Sequence, residues 1–171
     1  PIGNLEDISL RAVRVLREAK LIAAEDPRKT KRLLNAYGIK TPMTSYHEHN
    51  EKTKLDYVLN YLKENDVALV SEAGMPGISD PGYGLIVAAN RARIPVTPVP
   101  GPSAVIAALT ASGLPCDRFV FEGYLPRTPA KRRRRLVALK NEKRTIVFFI
   151  SPHRFSKEIQ EMALNLGDRP A

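Results

Sequence analysis

The sequence contains very little cysteine, with Cys116 as the only one among 171 residues. A single cysteine excludes an internal disulfide framework and a multi-cysteine zinc site, and it fits a reducing compartment. No run approaches the roughly 20 apolar residues that a membrane-spanning helix needs, and no signal-peptide-like start is present. We therefore expect a soluble, cytoplasmic protein with no membrane partner.

Two nucleotide-binding signatures are also missing. The Gly- and Pro-rich segment "SEAGMPGISDPGYG" (71–84) has neither the G-x-x-x-x-G-K-[ST] of a P-loop nor the G-x-G-x-x-G of a dinucleotide fold. Neither ATP nor NAD is therefore supported by its own motif. With 43% hydrophobic and 26% charged residues, the chain is nevertheless typical of folded globular proteins.

Positive charge is concentrated in the last third of the chain. The formal net charge is +9, and residues 1–117 carry 14 basic against 13 acidic residues, whereas residues 118–171 carry 13 against 5. This asymmetry, centred on "KRRRRL", indicates a polyanionic partner such as RNA, although a solvated helix face is the alternative. The basic residues that we expect to contact RNA are Arg28, Lys29, Lys31, Arg32, Lys131, Arg132, Arg133, Arg134, Arg135 and Arg154.

Apolar periodicity alternates between helical and strand spacing, which predicts an α/β fold with a mostly parallel sheet covered on both faces. The first helix is expected after an N-cap at Asp7 or Ser9, and another is expected to stop at Gly38. The segment "IPVTPVPG" (94–101) is predicted as a strand. We place a domain boundary after Asp117, giving a first domain of residues 1–117 and the β-α-β-α start of a second domain at 118–171.

The polar loops of this pattern fall at the carboxyl ends of the predicted strands, where open parallel sheets bind their ligands. They are "EDPR", "SYHEHN", the 71–84 segment and "PVPGPSA". Glycines in the 71–84 segment permit close backbone approach, and its prolines stiffen the turn. Asp80 either caps the following helix or accepts hydrogen bonds from a ligand.

Seven motifs occur in an order that covers nearly the whole chain: "PIGNLEDIS", "AAEDPRKT", "SYHEHN", "EAGMPGISDPGY", "PVPGPSA", "DRFVFEGYLPR" and "SPHR". Together they resemble the tetrapyrrole methylase-fold enzymes, and especially those members that methylate a cytidine ribose 2′-hydroxyl in small-subunit (16S) ribosomal RNA with S-adenosylmethionine. The resemblance implies two α/β domains with a cofactor cleft between them and a homodimer. It also implies an opening strand before Pro1 and most of the second domain after Ala171.

The resemblance further implies which residues meet S-adenosylmethionine. Carried over position by position, these are Ile2, Gly3, Asn4, Ala73, Gly74, Met75, Pro76, Gly77, Asp80, Pro81 and Ser103. The Gly/Pro loop would then hold the methionine part and the ribose of the methyl donor.

A ribose hydroxyl is a poor nucleophile, so a neighbouring base would assist methyl transfer. The candidate catalytic residues on the rim are His47, Glu48, His49, Glu25 and Asp26. We favour "HEH", because the preceding strand would aim two of its three side chains at the cleft and a neutral histidine can accept a proton. The alternatives are structural: polar-loop histidines bonded to backbone, and acids that cap a helix or pair with Arg28. No metal site is expected, since this transfer needs none.

Two other functions remain open at this point. One keeps the fold and changes the acceptor to a porphyrin precursor. The other is a non-catalytic RNA-binding relative of the fold, favoured by Met75 and Ile150, which depart from the family's pattern.

Overall fold

The computed structural model describes residues 1–171, and they form two compact units, residues 1–103 and 104–171. The domain boundary after Asp117 stays a prediction. The compact units divide earlier in the chain, so that helix Ala104–Ser112 is grouped with the second unit.

The first unit is built on a three-stranded parallel sheet of order β2-β1-β3. Its strands are β1 (Leu21–Ala24), β2 (Met43–Ser45) and β3 (Val67–Val70). Its helices, which follow a 3₁₀ turn at Leu5–Asp7, are α1 (Leu10–Glu18), α2 (Pro27–Ala36), α3 (Glu51–Tyr61) and α4 (Tyr83–Arg91).

Local signals in the sequence set the ends of α1 and α2. The Ser9 hydroxyl accepts the Ala12 N–H at 3.1 Å, so Ser9 rather than Asp7 caps α1. Asp26 caps α2, with Pro27 in the first helical position, where its missing N–H costs no hydrogen bond. Gly38 follows the last turn of α2 with φ of 61°, a conformation that glycine adopts without steric cost, and its predicted role as the stop of that helix is confirmed.

The core of the first unit forms around β1, which is buried along its whole length. Ile22 and Ala24 pack with apolar residues of α1 and α2. Ala23, which points to the other face, packs with Tyr46, with Val58 of α3 and with α4. This alternation confirms the prediction of a parallel sheet covered by helices on both faces.

The second unit contains a parallel pair of strands, β4 (Phe119–Tyr124) and β5 (Thr145–Phe149). Its helices are α5 (Ala104–Ser112), α6 (Pro129–Leu139) and α7 (Phe155–Leu166), and a 3₁₀ turn at Pro152–Arg154 precedes α7. The β-α-β-α order predicted from Phe119 onward is confirmed. No helix of either unit combines the length and the apolar character needed to cross a membrane.

The strand predicted for residues 94–101 is absent, and this prediction was wrong. The segment belongs to neither sheet and has no regular secondary structure. Pro95, Pro98 and Pro100 have no N–H to donate to a neighbouring strand, so the segment is a poor partner for a sheet despite its apolar residues.

Candidate functional site

The carboxyl ends of β1, β2 and β3 meet at one edge of the first sheet. Ala24, the last residue of the central strand, lies beside Ser45 on one side and Val70 on the other. Pairing continues one residue further, because the Glu25 N–H donates to the Val70 carbonyl at 3.0 Å and the Tyr46 N–H donates to the Ala24 carbonyl at 2.7 Å. Three of the predicted site loops therefore leave the sheet side by side.

The Gly/Pro loop, residues 71–82, follows β3 in a conformation that depends on glycine. Gly74, Gly77 and Gly82 have φ values of 83°, 82° and 115°, all in the left-handed region that disfavours side chains. The loop is closed by the Gly77 N–H, which donates to the Pro81 carbonyl at 3.2 Å. A Cβ at Gly82 would lie 2.7 Å from Cδ2 of Leu69 on β3, so the loop packs closely on the sheet.

The carboxylates of Glu25, Glu72 and Asp80 lie near the start of the Gly/Pro loop. Glu25 accepts the Glu72 N–H at 3.0 Å, and the Glu72 carboxylate forms an ion pair with Lys29. Burial raises the pKa of Glu25 above its ordinary value, and the negative charges of Asp80 and Glu72 raise it further. The hydrogen bond from the Glu72 N–H lowers this pKa, but by less than burial raises it. Burial also raises the pKa of Asp80, although a hydrogen bond with Ser71 opposes the shift.

Asp80 does not cap the following helix. The residue before α4 is Gly82, and no side chain caps that helix. The capping role predicted for Asp80 was therefore wrong, because Gly82 rather than Asp80 occupies the N-cap position of α4. The alternative role of Asp80 in ligand binding stays a prediction.

The raised pKa of Glu25 predicts how this edge responds to pH. Below the ordinary pKa of 4.5 the Glu25 carboxyl is protonated in both the folded and the unfolded protein, so folding does not have to bury a negative charge. As the pH rises through the higher folded pKa, ionisation opposes burial and the free energy of unfolding falls. We therefore expect Glu25→Gln, whose amide oxygen can still accept the Glu72 N–H, to melt at a higher temperature than the parent near neutral pH.

Thermal melts between about pH 4 and pH 8 measure this difference, which should disappear towards the acidic end. Glu64→Gln, at an exposed carboxylate, is the control and should leave the profile unchanged. A gap between Glu25→Gln and the parent that persists unchanged at low pH would contradict the explanation.

Asp26 has a structural role at the start of α2. Its carboxylate accepts the Arg28 N–H at 2.8 Å and forms an ion pair with the Arg28 guanidinium at 3.1 Å. The Arg28 side-chain hydrogen bond lowers the pKa of Asp26. The capping and pairing alternative is thus observed for Asp26, and its catalytic role stays a prediction.

The "HEH" segment follows β2 but is not an extension of it. β2 ends at Ser45, and residues 48–50 form a turn, so strand alternation does not orient His47 and His49 as expected. The His47 N–H donates to Asn50 Oδ1 at 2.8 Å, which fixes the turn. The two imidazole rings lie 6.0 Å apart, and Nδ1 of His47 is buried without a hydrogen-bond partner. Glu48 and His49 are exposed.

A second support of the Gly/Pro loop was missed by the sequence reasoning. Glu51, in the first turn of α3, accepts the Gly84 N–H at 3.1 Å and the hydroxyl of the fully buried Tyr46 at 3.4 Å. Burial, followed by the Glu51 charge, raises the pKa of Tyr46. A Cβ at Gly84 would come within 2.6 Å of Glu51 Oε1. The signal in the sequence was an acidic residue in the first turn of α3, five residues after a tyrosine in a polar stretch.

Other predicted cofactor residues are not joined to this edge. The Asn4 side chain accepts the Glu6 N–H at 3.1 Å and caps the first 3₁₀ turn. No hydrogen bond or ion pair links Ile2, Gly3 or Asn4 to the Gly/Pro loop. Ser103 stands directly before α5. The contribution of these residues to a cofactor site stays a prediction.

The expected RNA-binding residues divide by what they contact. Some are exposed without an acidic partner: Lys31, Arg32, Lys131, Arg133 and Arg134. Others are held by acids in ion pairs: Arg28 by Asp26, Lys29 by Glu72, Arg135 by Glu122 and Arg154 by Glu158. Arg132 differs from all of these because it is only 2% exposed.

The buried guanidinium of Arg132 is fully used inside the second unit. It forms an ion pair with Glu161 of α7 and donates to the carbonyls of Pro126 and Arg127 at 3.1 and 3.0 Å. A phosphate could not reach it without breaking these contacts. We therefore correct the expected RNA-binding set by leaving Arg132 out of it.

Comparison with known proteins gives one family. The family model described as Tetrapyrrole (Corrin/Porphyrin) Methylases matches residues 1–171. Ribosomal RNA small subunit methyltransferase I of Halalkalibacterium halodurans is 51% identical over 170 residues, which cover 99% of this chain and 59% of that protein. The protein of the same name from Thermotoga maritima is 52% identical over 171 residues, which cover 99% and 76%. The chain thus spans about three fifths of the first relative's length.

Solved structures share the fold at lower identity. Diphthine synthase matches with a TM-score of 0.70 and 15% identity over 96% of this chain and 68% of that one. Uroporphyrin-III C-methyl transferase from Thermus thermophilus, complexed with S-adenosyl homocysteine, matches with a TM-score of 0.61 and 20% identity over 96% and 73%. At these identities the matches show a common fold.

Proposed function

We propose, because the chain belongs to the tetrapyrrole (corrin/porphyrin) methylase family, that the protein is an S-adenosylmethionine-dependent methyltransferase of small-subunit ribosomal RNA. The observation that carries the proposal is the identity of about half of all residues, along nearly the whole chain, to relatives that are named for this activity. Methylation of a cytidine ribose 2′-hydroxyl is the finer form of the proposal, and a cytoplasmic location and a homodimer accompany it.

The Gly/Pro loop has free groups that suit the cofactor. The backbone N–H groups of Ala73, Gly74 and Met75 make no hydrogen bond within the protein, and no atom lies within 4 Å of the position of a Cβ at Gly74. Free amides beside open space fit a polar ligand that approaches the backbone closely. We assign these residues, with Pro76, Gly77, Asp80 and Pro81, to S-adenosylmethionine, which supplies an electrophilic methyl group when bound.

The protein's own contribution to methyl transfer is chiefly positioning, because a displacement at a sulfonium methyl group needs donor and acceptor in line. His47 and His49 are our candidates for removing the proton of the ribose hydroxyl. The buried Nδ1 of His47 has no hydrogen-bond partner and His49 is exposed, so these ring nitrogens are not already engaged by other groups of the protein. Glu25 is a less favoured candidate, because its carboxylate already accepts the Glu72 N–H.

Transfer of a labelled methyl group from S-adenosylmethionine to RNA of small ribosomal subunits tests the proposal. We expect the label in RNA, and we expect the double variant His47→Ala with His49→Ala to lower kcat by about 100-fold or more. Its affinity for S-adenosylmethionine, measured by calorimetry, should stay within about twofold of the parent. Equal losses of kcat and affinity would give the histidines a structural role instead.

The same assay separates the alternatives. Porphyrin-precursor methylation is suggested by the uroporphyrin-III methyltransferase fold match, but at 20% identity against 51% for the ribosomal RNA relative. Label in a tetrapyrrole and not in RNA would favour that acceptor. RNA binding without any affinity for S-adenosylmethionine would favour a non-catalytic relative of the fold. Met75 and Ile150, which depart from the family's pattern, would then be the first residues to test as the cause.

A further inference from the structure

The second unit has its own concave surface, at the carboxyl ends of β4 and β5. This pocket has a volume of about 510 Å³. Because Tyr124 lies beside Phe149 in the parallel ladder, the segments that follow both strands leave the sheet at the same edge. The residues that line the pocket come from these two segments: Tyr124, Leu125, Arg127, Ser151, His153 and Arg154.

The polar groups of the pocket are those that bind an anion. Two guanidinium groups, one imidazole and two hydroxyl groups line it, and no carboxylate does. Arginine presents its N–H groups in a planar fork that matches the oxygens of a phosphate. The side chains of Arg127 and His153 are exposed and have no partner within the protein.

Ion pairs with one buried partner each hold both sides of the pocket in place. Arg132, paired with Glu161, donates to the carbonyls of Pro126 and Arg127 and so fixes the backbone from which the Arg127 side chain extends. On the other side, Arg154 lies 3.0 Å from the carboxylate of Glu158, which is fully buried. Groups held in position before a ligand arrives bind it with less loss of freedom.

The surroundings of the pocket favour a nucleic acid strand over a small anion. Helix α6 begins at Pro129, two residues after Arg127, and carries the exposed and unpaired Lys131, Arg133 and Arg134. The ring of Tyr124, which is 53% exposed at the pocket, is available for a base to stack on. A continuous strand could contact the pocket and α6 together, whereas a free phosphate would use only the pocket.

We propose that this pocket binds a backbone phosphate of single-stranded RNA, with Arg127, His153 and Arg154 as the contacting side chains. The proposal rests on the proposed function only in naming RNA as the source of the phosphate. In this proposal part of the chain's positive charge binds RNA at this pocket. Arg132 acts indirectly, as a positioning residue, because it holds the backbone of Arg127.

Fluorescence anisotropy with a labelled single-stranded RNA of about ten nucleotides tests the proposal. Arg127→Gln with His153→Asn changes two exposed side chains, so the fold should be retained, and we expect about tenfold weaker binding. The slope of log affinity against log salt should fall by about 1. Lys143→Gln is the control, because it also removes one charge but lies before β5, at the opposite end of that strand from Ser151. It should change affinity by less than about twofold.

Two further measurements keep the result decisive. An RNA of the same sequence with uncharged methylphosphonate linkages should bind the parent and the double variant alike, since it lacks the group that the pocket recognises. An RNA affinity in the double variant equal to that of the parent would overturn the proposal. If, in addition, millimolar inorganic phosphate bound to the parent and not to the double variant, the pocket would be a site for free phosphate and not for RNA. S-adenosylmethionine affinity, measured separately by calorimetry, should be the same in both, so failure of the proposed function would show there and not in the RNA titration.

Discussion

Gly77→Val is expected to weaken S-adenosylmethionine binding by about 100-fold or more, which corresponds to about 2.8 kcal/mol. At φ of 82°, a β-branched side chain is sterically disfavoured by about 1–3 kcal/mol. The loop would relieve this strain by changing its backbone, and the hydrogen bond from Gly77 to Pro81 would be lost. The free amides of residues 73–75 would then no longer stand where the cofactor needs them. Isothermal titration calorimetry measures the effect.

Two companion variants identify the cause. Gly38→Val introduces the same residue at a similar φ of 61°, with no atom within 4 Å of the new Cβ, but at the end of α2. It should lower stability and leave cofactor affinity unchanged. Gly77→Asn, which tolerates the left-handed region, should recover part of the affinity. If Gly77→Val bound S-adenosylmethionine as tightly as the parent, the loop would not be part of the cofactor site.

Arg132→Ala is expected to lower the free energy of unfolding by about 3 kcal/mol, although it lies in a run of exposed arginines. The substitution leaves the Glu161 carboxylate without its partner and leaves the carbonyls of Pro126 and Arg127 without their donor. Urea denaturation followed by circular dichroism measures the change. If the loss arises from the unpaired charge, adding Glu161→Ala should recover part of it.

The matched control is the next residue of the same helix. Arg133 is exposed and makes no ion pair, so Arg133→Ala should change stability by less than about 0.5 kcal/mol. Equal effects at the two positions would show that the buried contacts of Arg132 contribute nothing to stability.

Much of the fold could be predicted from the sequence because its signals are local. The apolar run of β1, the Ser9 and Asp26 caps and the stop at Gly38 each depend on neighbouring residues alone. The failed strand at residues 94–101 shows the limit of this reasoning, since its alternating apolar residues suit a sheet whereas its prolines remove the donors that a sheet requires.

The site was harder to predict because its residues are defined by contacts between distant segments. Capping is one of the two roles that the sequence predicts for Asp80, because Asp80 precedes α4, but the N-cap of that helix is Gly82. The Asp80 carboxylate instead responds to Ser71, which lies nine positions earlier in the chain. Within "KRRRRL" only the helical spacing distinguishes Arg132, which shares a buried face with Leu136 and Leu139. That spacing was available in the sequence, whereas the acid that receives the buried charge, Glu161, was not evident before α7 was placed.

The Gly/Pro loop is fastened at both ends by carboxylates from other elements. Glu25 holds the Glu72 N–H at its start, and Glu51 holds the Gly84 N–H just beyond its end. A segment whose ends are fixed samples far fewer conformations than a free one, so most of its conformational entropy is already lost when the chain folds. The free amides in its middle can therefore meet a ligand with little further ordering, and this lowers the entropic cost of binding.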